Sequence, residues 1–80
     1  MIEINGKLCS YSIKFQATAR RRSISINEVE ETVQSPDEIE HSEHDPQNRH
    51  VYRKLISARW ISVVVDEQEQ LLITVWANQA

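Results

Sequence analysis

The run from Arg20 to Asp37, RRRSISINEVEETVQSPD, constrains the fold more than any other part of the chain. It combines the end of one helix, a tight corner, a second helix and a stop. Ser25 suits an N-cap, because its hydroxyl accepts from a backbone N–H that lacks a helical partner. Glu28 lies three positions on, where its carboxylate reaches back to the Ser25 N–H and completes a capping box. Ile24 and Val29 occupy the positions of a hydrophobic staple. Ile26, Val29 and Val33 share one helical stripe. Glu28, Glu30 and Glu31 fall early, near the positive end of the helix dipole. Pro36 disfavours α geometry at Ser35 and ends the run. The pattern predicts a helix over residues 26 to 34.

The residues before the corner suit the end of another helix. Arg20, Arg21 and Arg22 complement the carbonyl end of a last turn. Tyr11, Phe15, Ala19 and Arg22 share a face by helical spacing, flanked by Ile13 and Ala17. Ser23 stands where such corners place a glycine with positive φ. A serine there costs about 1 kcal/mol more than glycine if the backbone is left-handed.

Strands account for the rest. Ile2 and Ile4, then Asn5-Gly6, then Leu8 and Ser10 read as a short hairpin, with a bare turn as the alternative. Residues 38 to 43 alternate weakly and read as an exposed edge strand or a loop. Asp45-Pro46-Gln47-Asn48 is a turn cluster. Val51 to Ile56 alternates, and Trp60 to Val65 and Leu71 to Trp76 are apolar runs rich in β-branched and aromatic residues. Short connections imply antiparallel pairing. The expected fold is α+β: two N-terminal helices packed on a three- to four-stranded antiparallel sheet, in one domain over residues 1–80.

A chain of 80 residues buries about 60–65% of its extended surface, so its stability is marginal. No apolar run approaches the ~20 residues of a membrane span, and Met1 to Gly6 lacks the basic region and apolar core of a signal peptide, so none is expected. These features, with a single cysteine, lead us to expect a cytoplasmic protein with no membrane partner. Cys9 reads as a small residue in a half-buried strand rather than a nucleophile. The net charge of −3 is unevenly placed. Residues 7 to 22 hold Lys7, Lys14, Arg20, Arg21 and Arg22 and no acid. Residues 28 to 45 hold eight acids and no Lys or Arg, and Arg49, Arg53, Lys54 and Arg59 follow. Two arrangements fit: both basic blocks on one face as a phosphate-binding patch, or basic and acidic blocks paired across the surface.

The order of short motifs resembles the domain of unknown function 4258 family (DUF4258). Members read Arg-Gly-Ile-Ser, a helix with Glu-Val, a Pro-Asp, then strands with Tyr-Arg, Val-Val-Val and Thr-Val. Here these are Arg22 to Ser25, Glu28-Val29, Pro36-Asp37, Tyr52-Arg53, Val63-Val64-Val65 and Thr74-Val75, within residues 11–77. The resemblance implies a RelE-like fold of the barnase–EndoU–colicin–RelE group. It also implies a toxin of a bacterial type II toxin–antitoxin pair: a metal-independent endoribonuclease restrained by an antitoxin encoded nearby. The chain departs from the family pattern in three places. Lys14 and Thr18 stand where members carry His and Arg, and Ser23 replaces the glycine.

RNA cleavage by 2′-OH attack needs an activating base, a cation for the phosphorane charge and an acid for the leaving oxygen. The preferred catalytic set is Lys14, Arg49 and Arg53, with Tyr52 or His50 as proton carrier. Arg49 and Arg53 alternate onto one strand face while His50 and Tyr52 take the other, so one cleft holds all four only if a bulge intervenes. Arg20, Arg21, Arg22, Lys54 and Arg59 are the RNA-binding candidates. His41 and His44 fit no zinc spacing, and neither metal nor cofactor is expected. Trp60 and Trp76 read as core in preference to base-stacking residues. The second functional reading is a non-catalytic module that binds nucleic acid or a protein partner, and an open edge strand would also permit homo-oligomers.

Overall fold

The structure, a computed structural model, describes residues 1–80. Strand β1 (Ile2–Ile4) turns into β2 (Lys7–Tyr11), and helices α1 (Ile13–Arg21) and α2 (Ile26–Gln34) follow. Strands β3 (Glu38–His41), β4 (Arg49–Ile56), β5 (Arg59–Asp66) and β6 (Leu71–Gln79) complete the chain. The corner forms as its residues dictate. The Ser25 N–H donates to Glu28 Oε1 at 2.9 Å, and the Glu28 N–H donates to Ser25 Oγ at 3.1 Å. Ser23 takes the left-handed conformation, φ 57°, that lets α1 end and α2 leave in a new direction. Ser12 caps α1 by accepting from the Phe15 N–H at 3.1 Å.

All six strands join one sheet in the order β1-β2-β6-β5-β4-β3. The sheet therefore has more strands than the three or four expected, and it is mixed. Ser10 and Tyr11 of β2 pair in parallel with Leu71 and Leu72 of β6, while every other pairing is antiparallel. The N-terminal hairpin forms at Asn5-Gly6, both with positive φ, and it attaches to the last strand instead of standing alone. A two-residue parallel join leaves no periodicity in the sequence, which is why pattern reading misses it. Residues 38–41 settle as strand, paired with β4 from Glu38↔Arg53 to His41↔His50.

Both helices cover one face of this sheet. Phe15 and Ala19 of α1 and Val29 and Val33 of α2 meet Tyr52, Ile61, Val63, Val65, Leu72 and Val75 in a single core of 14 buried residues. Ile2, Ile4 and Cys9 bring the hairpin into the same core. Side chains alternate along a strand, so Val51 and Arg53, Ser62 and Val64, and Thr74 and Trp76 face the side away from the helices. Ile73 is an extra residue in β6 where its pairing with β5 slips between Val64 and Val65. Ser57 and Ala58 make a two-residue β4–β5 turn, with φ 50° and 66°.

Candidate nucleic-acid interface

The two basic blocks end differently. Every cation of the second block meets an acid. Arg49 Nε lies 3.2 Å from Asp66 Oδ2, Arg53 Nη1 2.6 Å from Glu40 Oε1, and Lys54 Nζ 3.8 Å from Asp37 Oδ1. Arg59 Nη2 lies 3.2 Å from Glu28 Oε2. Asp66 is buried, and the backbone N–H of Glu69, then the Arg49 guanidinium, hold its carboxyl below the usual range. No salt bridge reaches Lys7, Lys14, Arg20, Arg21 or Arg22, and all five are exposed. The unneutralised positive charge is thus concentrated on β2, α1 and the α1 cap.

The structure does not gather Lys14, Arg49 and Arg53 at one phosphate. Lys14 belongs to the helix layer, whereas Arg49 and Arg53 alternate onto the opposite side of the sheet. The β4–β5 register runs uninterrupted from Arg49↔Asp66 to Ile56↔Arg59, so no bulge re-aims a side chain in β4. His50 and Tyr52 face the helices. Tyr52 is only 2% exposed; its hydroxyl donates to Glu67 Oε1 at 2.7 Å and accepts from Asn5 Nδ2 at 3.2 Å. Burial, reinforced by Glu67, pushes that phenol well above its ordinary range, so it stays neutral and out of reach of a substrate. His50 Nδ1 lies 3.2 Å from Glu67 Oε1 but outside hydrogen-bond geometry, and its ring packs on His41 at 4.8 Å between centroids. No group of three or more His, Cys, Asp or Glu side chains is placed to hold a metal ion. Cys9 is buried in the core, which pushes its thiol up and away from the reactive thiolate.

Part of the proposed RNA-binding set does converge. Arg22 and Arg59 line one cleft of about 380 Å³ with Trp76, Ala77, Asn78 and Gln79. Both guanidinium groups are held from behind by backbone. Arg22 donates through Nη1 to the Val75 carbonyl at 2.9 Å, and Arg59 donates through Nη2 to the Ser23 carbonyl at 2.8 Å. An arginine has five N–H donors, so each keeps others for a ligand while its position is fixed. Arg22 reaches this point because it is the C-cap of α1 and the left-handed Ser23 turns the chain away behind it. Glu28 tempers the charge of Arg59; the Ser25 N–H, then Arg59, lower the pKa of its carboxyl. Lys54 stands apart, with its amine on the Ser35 carbonyl at 2.8 Å.

Trp76 also borders a second groove, of about 410 Å³, on the sheet face away from the helices. Val51, Val64 and Thr74 line this groove, and Arg53 and Glu40 stand beside them. Ser62, cross-strand neighbour of both Arg53 and Trp76, is too small to fill the space between them. Trp60 and Trp76 are therefore not part of the helix-facing core, as their apolar runs suggested, but are half-buried on the open face. Only part of a signal for this was present. Thr74, Trp76 and Asn78 share one polar phase, but buried Leu72 shares it in the sequence too, and only the extra residue Ile73 separates the two faces.

No helix is long and apolar enough to cross a membrane. No curated protein and no solved structure matches the chain. Residues 14–77, from the second residue of α1 to near the end of β6, match the domain of unknown function (DUF4258), and the chain belongs to that family.

Proposed function

We propose that this domain is a module that binds single-stranded RNA along a path from the free cations of α1, through the Arg22–Arg59 cleft, onto Trp76. The RelE-like kinship implied by the family resemblance makes RNA the ligand of choice. The observation that carries the reading is the cleft itself, where two backbone-anchored guanidinium groups adjoin a half-buried tryptophan. Guanidinium groups grip phosphate with parallel bonds, and an indole face stacks on any base. Arg20 and Arg21 extend the charge along the strand's approach. Binding is favoured over cleavage because Tyr52 and His50, the expected proton carriers, face the helix layer.

Fluorescence anisotropy with a labelled single-stranded RNA of ~10 nucleotides, at several salt concentrations, tests this. Each phosphate contact contributes a slope of about −0.7 in log K against log salt, so contacts from Arg20, Arg21 and Arg22 together predict about −2. Trp76→Ala and Arg22→Gln each weaken binding by about tenfold. The same samples run on a denaturing gel show intact RNA. Absence of binding at low salt, or affinity untouched by both substitutions, overturns the reading. A shortened product that disappears with Arg53→Ala restores the ribonuclease.

A further inference from the structure

We infer that the groove between Trp76 and the Arg53–Glu40 pair is a base-recognition pocket selective for guanine. The inference rests on the RNA-binding reading and specifies what the strand presents beyond the Arg22–Arg59 cleft. The volume of about 410 Å³ lies in the range of small-ligand sites. Its walls suit a planar base. Val51 and Val64 supply an apolar floor and Trp76 a flat side, and the charged groups of Glu40, Glu43 and Arg53 share the lining with His41 and His44.

The polar groups then choose among bases. Glu40 Oε1 holds Arg53 Nη1 at 2.6 Å, so a hydrogen-bond acceptor and a hydrogen-bond donor stand side by side on β3 and β4. A carboxylate has about four lone-pair sites, and one contact to Arg53 leaves the others open. Guanine presents two adjacent donors, N1–H and N2–H, next to the acceptor O6. Its donors match the carboxylate and its O6 matches the guanidinium, the group that reads O6 in nucleic-acid complexes. Adenine turns a bare N1 toward the carboxylate, which is repulsive. Cytosine and uracil each offer the carboxylate a single edge donor group.

The test is titration of the folded chain with GMP, AMP, CMP and UMP, followed by quenching of tryptophan emission. GMP binds about tenfold tighter than AMP, since a site built to hydrogen-bond an edge rejects the base that leaves it unpaired. Glu40→Gln reduces the GMP preference to within about threefold, while Arg22→Gln weakens all four nucleotides equally. Glu40 is exposed on an edge strand, and Glu40→Ala gives a second variant whose fold is checked by circular dichroism. Equal binding of the four nucleotides by the unsubstituted chain overturns the guanine pocket; if Arg22→Gln still weakens them all, RNA binding stands without it. A GMP preference that Glu40→Gln abolishes, in a chain that binds no RNA oligomer, upholds the pocket and removes the RNA reading instead.

Discussion

Replacing Glu28 by glutamine separates stability from binding, because the side chain serves the first and opposes the second. Glu28 accepts from the Ser25 N–H at 2.9 Å and from Arg59 Nη2 at 3.2 and 3.3 Å. Glutamine keeps an acceptor for Ser25 but removes the charge that favours the helix N-terminus, worth about 0.3–1 kcal/mol. It also removes the pair with Arg59; both side chains are 24% exposed, and pairs of this kind contribute about 0.2–1 kcal/mol. The sum is about 1 kcal/mol, or a melting point lower by about 4–8 °C for a domain of this size. The pH dependence has a definite sign. The carboxyl of Glu28 titrates below its ordinary value, held down by the Ser25 N–H first and Arg59 next. Its contribution is complete above the ordinary carboxylate range and is lost as pH falls through the lowered value. Thermal melts at neutral and acid pH therefore show a gap between the two proteins that closes in acid. RNA affinity moves the other way, since Arg59 is freed to meet a phosphate and the salt slope steepens by about 0.7. An unchanged melting point at neutral pH, a gap that persists in acid, or weaker RNA binding by the variant refutes the reasoning.

Tyr52→Phe leaves Glu67 and Asn5 without their buried partner and lowers stability by about 1–3 kcal/mol in urea titrations. The folded chain keeps this phenol neutral while the unfolded chain ionises it near pH 10, so stability falls as pH rises past that point, and the fall is smaller in the variant. Substituting Asn-Gly for Ser57-Ala58, both of which have positive φ, raises the urea midpoint by the equivalent of about 0.5–1 kcal/mol without altering RNA affinity.

Local chemistry was readable where a few adjacent residues decide the outcome. Ser25, Glu28 and Pro36 bound α2 because capping and proline sterics act within one turn, and Asn5-Gly6 turns because both residues tolerate positive φ. The short β4–β5 connection and its antiparallel pairing are legible, but the positive φ of Ser57 and Ala58 is not, because neither residue carries that preference; strong pairing on both sides imposes the conformation on them. The parallel join of β2 to β6 was invisible for a related reason, since only tertiary packing selects it. Among the candidate residues, charge was legible but pairing was not. Arg49, Arg53, Lys54 and Arg59 resemble Arg20, Arg21 and Arg22 in sequence, yet only the folded sheet places Asp66, Glu40, Asp37 and Glu28 beside the former. Composition told little about Trp76, whose surroundings depend on which side of β6 the helices cover.

The contact of Ser10 and Tyr11 with Leu71 and Leu72 ties nearly the whole sequence into one loop of cause and effect. During synthesis the β1–β2 hairpin and α1 emerge before the other strands, but the strand that they dock against follows every other element of the sheet. Until then Phe15, Ala19 and Cys9 lack the Leu72 and Val75 surface that buries them. Completion of the core is therefore deferred until β6 is available, and pairings between such distant residues slow it further. A nascent chain stalled before β6 is expected to stay open to proteases in the hairpin and α1, which lack their partner strand.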